Sequence, residues 1–249
     1  MKRIKFLIII LLLMAWFPGL TAGDVPAPHE SWDKLLKKHV ENGEVDYRGF
    51  AGDIKQLDNY LEILGSIDIS AFSREQKLAF WINAYNAFTV KLILNFYPVK
   101  SIRKISRPWK RRIWKTAGET LSLDDIEHKK LRKELKEPRI HFAIVCASTG
   151  CPDMQPFAFY GQQLDRQLDL AARHFFSSPK HFYFKMSGTA AALFVSKIFK
   201  WFASDFGKNK KERIDFISHF LEKADAEKIR TATSFKMKYL RYDWNLNEK

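Results

Sequence analysis

The sequence contains few cysteines, glycines and prolines, and a single long hydrophobic run. Its 249 residues include 2 Cys, 11 Gly and 9 Pro. Two cysteines exclude a small protein held together by several disulfides, and also a zinc site made of about four thiolates. The modest glycine and proline content excludes a collagen-like or low-complexity chain. Apolar residues are not scarce: at 46% they are enough to form a core, which excludes a disordered protein.

The hydrophobic run lies at the N terminus and has the layout of a secretory signal peptide. Basic residues precede twelve apolar residues (Phe6–Phe17), and small residues follow (Thr21–Gly23). The run is shorter than the roughly 20 residues of a membrane-spanning helix. We predict a signal peptide over 1–23 and a single domain over 24–249, hence an exported protein that is periplasmic or secreted. An uncleaved membrane anchor is the alternative, because no clean A-x-A cleavage site is present.

The chain is strongly basic, with a formal net charge of +14. Removal of residues 1–23 would leave it basic, so contact with an anionic membrane or envelope polymer is one expectation. Charge scattered over a solvated surface is the simpler alternative. Because we predict export, we expect a small-molecule, peptide or envelope substrate and no nucleic acid. Nothing in the sequence predicts a cofactor or a resident metal.

Helical periodicity dominates the first half of the domain, and hairpin patterns enter the second half. Apolar spacing predicts helices over 31–40, 53–64 and 73–96. The third is apolar nearly all round, which predicts a buried helix. Further along we predict hairpins over 111–121 and 182–196, a helix from 122 to about 135, a strand over 140–145, helices over 156–176, 197–206 and 210–224, and a final strand over 235–244. The predicted fold class is α+β: a helix-rich N-terminal half, then a small antiparallel or mixed sheet of hairpins with interleaved helices.

Both cysteines follow the predicted strand 140–145. Pro152 favours the first turn of a helix, so Cys151 would lie at a helix N terminus, where backbone N–H groups lower a thiol pKa. Cys146, at the end of the strand, could face the same space. Alternatively the two form a disulfide, because the predicted compartment is oxidising and the count is even. They could also be small buried side chains, or metal ligands together with a histidine, although their spacing is unusual for zinc.

His128, on the helix that begins at Ser122, is the candidate base. A thiolate–imidazole pair with a third, orienting polar group is the general arrangement of nucleophilic thiol enzymes. Asn83, Asn86 or Glu127 could supply that third group. The alternative for the two asparagines is a structural one, in which they hydrogen-bond neighbouring backbone. The candidate catalytic residues are therefore Cys151, Cys146, His128, Asn83, Asn86 and Glu127.

Several longer motifs follow one another along the chain. They are Val45-Asp46-Tyr47, AFWINAYNA (Ala79–Ala87), LSLDDIEH (Leu121–His128), Cys146-Ala147-Ser148 with Cys151-Pro152, SKIFKW (Ser196–Trp201) and YDWNLN (Tyr242–Asn247). From about residue 30 to 247 the chain resembles the family called domain of unknown function 547 (DUF547), and we expect an exported bacterial member of it. The family has no established activity, but the resemblance implies that the asparagine, glutamate–histidine and cysteine motifs share one site or one core.

The Asn, His and Cys content of these motifs is similar in kind to that of papain-like and transglutaminase-like thiol enzymes. His precedes Cys here, so a relation to the papain order would need a circular permutation, and the likeness is an analogy. We hypothesise a thiol-dependent hydrolase or acyl transferase acting on an amide or ester in the cell envelope. The alternatives are a non-catalytic binding or scaffold module with a buried polar core, and a thiol–disulfide redox protein, for which a C-x-x-C spacing is lacking.

Overall fold

The computed structural model describes residues 28–249. The predicted signal peptide over 1–23 lies outside the described residues. Among residues 28–249, no helix is both long enough and apolar enough to cross a membrane.

The N-terminal half is built from four helices, of which the apolar spacing predicts all except the second. They are α1 (Glu30–His39), α2 (Tyr47–Gly52), α3 (Ile54–Ser66) and α4 (Arg74–Leu94). A short hairpin, β1 (Val40–Glu41) and β2 (Glu44–Val45), separates α1 from α2. Asn42 and Gly43 form its turn, both with positive φ.

Helix α4 is the centre of this half. It begins with a capping box, in which the Ser73 hydroxyl accepts from the backbone of Gln76 while the Gln76 side chain accepts from the backbone of Ser73. Nearly every residue from Leu78 to Ile93 is buried, so the predicted buried helix is confirmed. Helices α2 and α3, and the segment around Glu127, pack against it.

The middle of the chain contains a hairpin and an unusual helix. Strands β3 (Trp114–Thr116) and β4 (Glu119–Leu121) pair antiparallel, as predicted. The helix expected from Ser122 is present as a π-helix over Asp125–Leu135. The backbone N–H of Lys136 closes it by donating to the carbonyl of Leu131, five residues earlier, at 3.0 Å. π-Helical turns are rare and often occur at functional sites.

The predicted strand over 140–145 is wrong. Residues Pro138–Phe142 form a 3₁₀ helix, which Pro138 starts and the Glu137 side chain caps. A short apolar run does not distinguish a buried strand from a buried helical turn. The helix predicted at Cys151-Pro152 is also absent: the chain is irregular there, and α5 (Leu164–Ser177) begins only after a 3₁₀ turn at Gly161–Gln163. The dipole argument for Cys151 therefore fails.

The C-terminal half contains a three-stranded mixed sheet with helices around it. Strands β5 (Phe182–Ser187) and β6 (Ala190–Val195) form the predicted hairpin, and β7 (Ser234–Tyr239) pairs parallel to β6. The helices are α6 (Ile198–Trp201), α7 (Lys210–His219) and α8 (Lys223–Arg230). The single helix predicted over 210–224 is thus two helices, and the final strand ends at Tyr239 rather than at 244.

Two apolar cores result, one around α4 and one between α5, the mixed sheet and α6–α8. After β7 the chain leaves the second core and returns to the first. There Leu246 donates its N–H to the carbonyl of Lys100, and Val45 donates to the carbonyl of Asn247. The predicted α+β class, with a helix-rich N-terminal half, is confirmed.

Candidate functional site

A cavity of about 220 Å³ lies where elements of the two cores and the C-terminal tail meet. Its wall combines aromatic rings, titratable groups and both cysteines. The lining residues are Tyr85, Trp109, Asp124, Glu127, His128, His141, Ile144, Cys146, Cys151, Pro152, Ile198, Trp201, Phe202, Tyr242 and Trp244. Four of the six predicted catalytic residues line this cavity: Cys146, Cys151, Glu127 and His128.

The two cysteines form a disulfide in the cavity wall, with their Cα atoms 6.2 Å apart. The sequence left a disulfide, a free thiol and a metal site open, and the structure has the disulfide. The two cysteines differ in exposure: Cys146 is half-buried, whereas Cys151 is only 4% exposed. If the disulfide is reduced, Cys146 is therefore the more accessible thiol.

Hydroxyl groups surround the disulfide. The Sγ of Cys146 lies 3.2 Å from the Ser148 hydroxyl and 3.2 Å from the Tyr242 hydroxyl. The Tyr242 hydroxyl also donates to the Sγ of Cys151 at 3.1 Å. Hydrogen bonds to a thiolate favour its charged form, so these groups would stabilise a thiolate formed here.

The cysteine loop is held in place by the backbone around it. Asn86, buried on α4, donates its Nδ2 to the carbonyl of Ala143 and accepts from the N–H of Val145, both at 2.9 Å. Gly150 donates its N–H to the carbonyl of Asp243 at 2.8 Å. A Cβ at Gly150 would lie only 2.8 Å from backbone atoms of Asp243, so this close approach requires glycine.

Asn83 makes the same kind of contact one turn earlier on α4. Its Nδ2 donates to the carbonyl of Phe159 at 2.8 Å, and its Oδ1 accepts from the N–H of Phe159 at 3.0 Å. Neither Asn83 nor Asn86 lines the cavity. Their amides are already bonded to backbone, which is the structural alternative raised for them from the sequence.

The π-helix contributes Glu127, which is buried at 8% exposure. The Tyr85 hydroxyl is 3.4 Å from its Oε2, and no cation among residues 28–249 forms an ion pair with it. Burial raises the pKa of Glu127 to about 7, although the nearby charge of Arg132 opposes the rise. A carboxyl group that exchanges its proton near neutral pH, inside a cavity, is suited to acid–base catalysis.

His128, the predicted base, is exposed, and its hydrogen bond determines its tautomer. Arg132 donates from Nη1 to the Nδ1 of His128 at 2.9 Å. Because arginine is only a donor, the proton of the neutral imidazole is on Nε2. Burial and the Arg132 charge also lower the pKa of His128, which favours the neutral form. In this arrangement His128 can donate a proton from Nε2, but the lone pair on its Nδ1 already accepts the hydrogen bond from Arg132.

A partly buried charge network lies behind these groups. The Nε2 of His141 is 2.8 Å from the Oδ2 of Asp205, and Arg132 donates to both Asp205 oxygens, at 2.6 and 2.9 Å. Burial alone would raise the pKa of Asp205, but the bonds from His141 and Arg132 hold it below its ordinary value. The His141 ring stacks on Phe202 at 4.2 Å. Asp205 thus fixes the arginine that sets the tautomer of His128.

Aromatic rings from three distant segments complete the cavity. Trp244 lies 4.6 Å from Tyr242, 5.8 Å from Trp201 and 6.1 Å from Trp109 between ring centres. Sequence reasoning did not select these residues, nor Tyr85, Ser148 and Asp205, as site residues. Five of them do lie in the motifs quoted above, which was the only signal available for them: Tyr85, Ser148, Trp201, Tyr242 and Trp244.

Among residues 28–249, no group of three or more His, Cys, Asp or Glu side chains is arranged to hold a metal ion. The disulfide also occupies both cysteine sulfurs. The metal alternative raised from the sequence thus has no site in the described part of the chain.

No curated protein and no solved structure matches the chain. Residues 69–176 match the family model described as "Protein of unknown function, DUF547". That range contains α4, the π-helix and the cysteine loop, but not α6 or the C-terminal tail, so it is shorter than the resemblance over 30–247 predicted. Over these residues the chain is thus similar to DUF547, a family of unknown function.

Proposed function

We propose that the cavity is the active site of a thiol-dependent hydrolase or acyl transferase. The observation that carries the proposal is the convergence of a cysteine pair, a carboxyl group with a pKa of about 7 and an imidazole in one aromatic cavity. The substrate we propose is an ester or amide of an envelope component. Export of the protein belongs to the same proposal; it is supported by the N-terminal motif and by the disulfide, because disulfides persist in oxidising compartments.

Cys146 is the nucleophile in this proposal, and the disulfide is its resting, oxidised form. Two equivalents of a small thiol, or one of a dithiol, would reduce the Cys146–Cys151 bond and leave as a disulfide. Cys146 is the more exposed cysteine, and its Sγ lies beside the hydroxyls of Ser148 and Tyr242. Those donors would stabilise the thiolate that attacks the substrate carbonyl carbon.

Glu127 is the group that moves protons. Its carboxylate would accept the thiol proton and return it to the leaving alcohol or amine as the thioester forms. Water, or an acceptor amine or alcohol, would then attack the thioester and free Cys146. His128, protonated on Nε2, would serve as a donor to the developing negative charge. The base in this proposal is thus Glu127 and not His128, the base expected from the sequence.

Activity on p-nitrophenyl butyrate, measured with and without dithiothreitol, tests the proposal. Wild-type protein should be active only after reduction. Cys151→Ser should be active without reductant, because its Cys146 has no disulfide partner, and mass spectrometry should find the acyl group on Cys146. Cys146→Ser should be inactive.

The matched control for Glu127 is Glu134, which is exposed on the same helix. Glu127→Gln should lose most of the rate and flatten its rise around pH 7, whereas Glu134→Gln should change little. Full activity of Cys146→Ser, or equal rates for the two glutamine variants, would refute the thiol mechanism.

Thiol–disulfide exchange is a second candidate, which the disulfide in the cavity wall specifically favours. It differs from the first in its use of the two cysteines. Exchange turnover needs both sulfurs, so Cys146→Ser and Cys151→Ser would both abolish reduction of a small disulfide by glutathione. In the hydrolase only Cys146 is needed.

A further inference from the structure

One segment of the described chain carries a dense and mostly unpaired positive charge. Residues 100–112 contain no Asp or Glu and seven basic residues: Lys100, Arg103, Lys104, Arg107, Lys110, Arg111 and Arg112. All except Arg111 are exposed. Within residues 28–249, Arg112 is the one member of this basic segment that forms an ion pair, with Asp125 at 2.9 Å.

The backbone of the basic segment directs these cations to solvent. Ile102, Ile105 and Pro108 are buried at every third position, and the cations lie between them. The segment is fastened to the C-terminal tail, because Ser101 donates its hydroxyl to the carbonyl of Trp244 at 2.5 Å. Its apolar side is thus fixed against the protein, and most of its charged side faces solvent.

Apolar side chains are exposed at both borders of the basic segment. Phe96 is 42% exposed and Ile113 is 50% exposed. The guanidinium of Arg111 lies 5.3 Å from the ring centre of Phe96, so charge and apolar surface are contiguous. Cations mixed with exposed apolar residues are typical of surfaces that lie at a lipid interface. Binding of a soluble anion would require only the cations, and not the exposed apolar side chains.

We propose that the basic segment docks the protein onto the surface of an anionic lipid bilayer. The cations would meet headgroup phosphates, and Phe96 and Ile113 would enter the boundary with the acyl chains. Trp109, in the same segment, lines the cavity, so docking would hold the cavity beside the bilayer. The proposal does not depend on the chemistry of the cysteines, and its test does not measure that chemistry.

Cosedimentation of the full chain with vesicles tests the proposal. Vesicles of phosphatidylglycerol and phosphatidylcholine should bind it, pure phosphatidylcholine vesicles far less, and 0.5 M NaCl should release it. Each Lys or Arg near an anionic surface contributes about fivefold in partitioning. A variant with Gln at Lys100, Lys104, Arg107 and Lys110 should therefore bind at least about a hundredfold more weakly.

A matched variant with Gln at Lys208, Lys211, Lys223 and Arg230 removes the same charges from exposed positions elsewhere. This control variant should keep most of its binding to anionic vesicles. Within the basic segment, the single changes Lys104→Gln and Lys110→Gln should each weaken vesicle binding about fivefold. Ile113→Ser should weaken the part of vesicle binding that persists at moderate salt. Leu170→Ser, a control at a similarly exposed position, should leave that binding unchanged.

Three results would overturn the proposal. Equal binding to neutral and anionic vesicles would remove the role of charge. Equal loss in the two fourfold variants would show that net charge, not this segment, drives binding. Binding to polyphosphate without binding to vesicles would identify an anionic polymer as the partner instead.

Discussion

Asn86 offers the most direct test of how the fold positions the site. Its side chain satisfies the carbonyl of Ala143 and the N–H of Val145, just before Cys146. Both backbone residues are buried, at 1% and 0% exposure, so water cannot replace the amide easily. Asn86→Ala would leave one buried donor and one buried acceptor without partners.

The expected magnitude follows from those two groups. Each unsatisfied buried polar group costs about 1–3 kcal/mol, so Asn86→Ala should lower the free energy of unfolding by roughly 2–6 kcal/mol. For a chain of this size each kcal/mol lowers Tm by about 2–4 °C, which gives a fall of roughly 4–24 °C. Asn83→Ala, which leaves both backbone groups of Phe159 unpaired, should behave similarly.

Thermal and urea unfolding followed by circular dichroism would measure these changes. Asn95→Ala is the matched control, since Asn95 is exposed just after the end of the same helix. It should move Tm little. If Asn86→Ala unfolds within about 2 °C of Asn95→Ala, the hydrogen bonds to Ala143 and Val145 do not stabilise the loop, and the reasoning is refuted.

Three further outcomes are expected. Glu127 has a folded pKa of about 7 against an ordinary value of 4.5, so its contribution to stability is present below pH 4.5 and is lost as the pH rises to about 7. Urea unfolding at different pH values would measure this loss. Between pH 4 and pH 8, the stability of the Glu127→Gln variant should rise by up to about 3 kcal/mol relative to that of the wild type. Gly150→Ala should lower the unfolding free energy by about 1–3 kcal/mol, because its Cβ meets the backbone of Asp243, whereas Gly52→Ala, with open space around it, should not. Reduction of the disulfide, which closes a short loop, should cost about 2 kcal/mol, visible as a lower Tm in dithiothreitol.

Each of these outcomes has a contrary result. A pH-independent difference between wild type and Glu127→Gln would mean that the carboxyl group is not desolvated. Equal stability of the Gly150→Ala and Gly52→Ala variants would mean that the approach to Asp243 is loose. A Tm that dithiothreitol does not change would mean that the disulfide does not constrain the unfolded chain.

Local signals in the sequence determined much of the helical half. The capping pair Ser73 and Gln76 and the all-round apolar pattern that follows are contained within a few turns of chain, so α4 could be predicted from them. The same holds for the two hairpins, whose turns carry glycine, and thus for the α+β class. Burial of Asn83 and Asn86 also followed from the pattern, because a helix buried on all sides buries its amides.

The tertiary structure decided what these residues do. The apolar run 140–145 became the end of a 3₁₀ helix and an irregular segment, in which Asn86, distant in sequence, bonds the backbone of Ala143 and Val145. The pairing of Cys146 with Cys151 depends on a Cα separation that spacing alone does not set.

The proton chemistry of the cavity was likewise beyond the sequence. The motif around Glu127 and His128 placed both on one helix, but not their protonation. The pKa of Glu127 depends on burial by distant segments, and the tautomer of His128 depends on Arg132, which Asp205 holds from 73 residues away. Local pattern determines which elements form; desolvation and hydrogen bonding between distant segments determine which side chain exchanges a proton, and these exist only once the chain has folded.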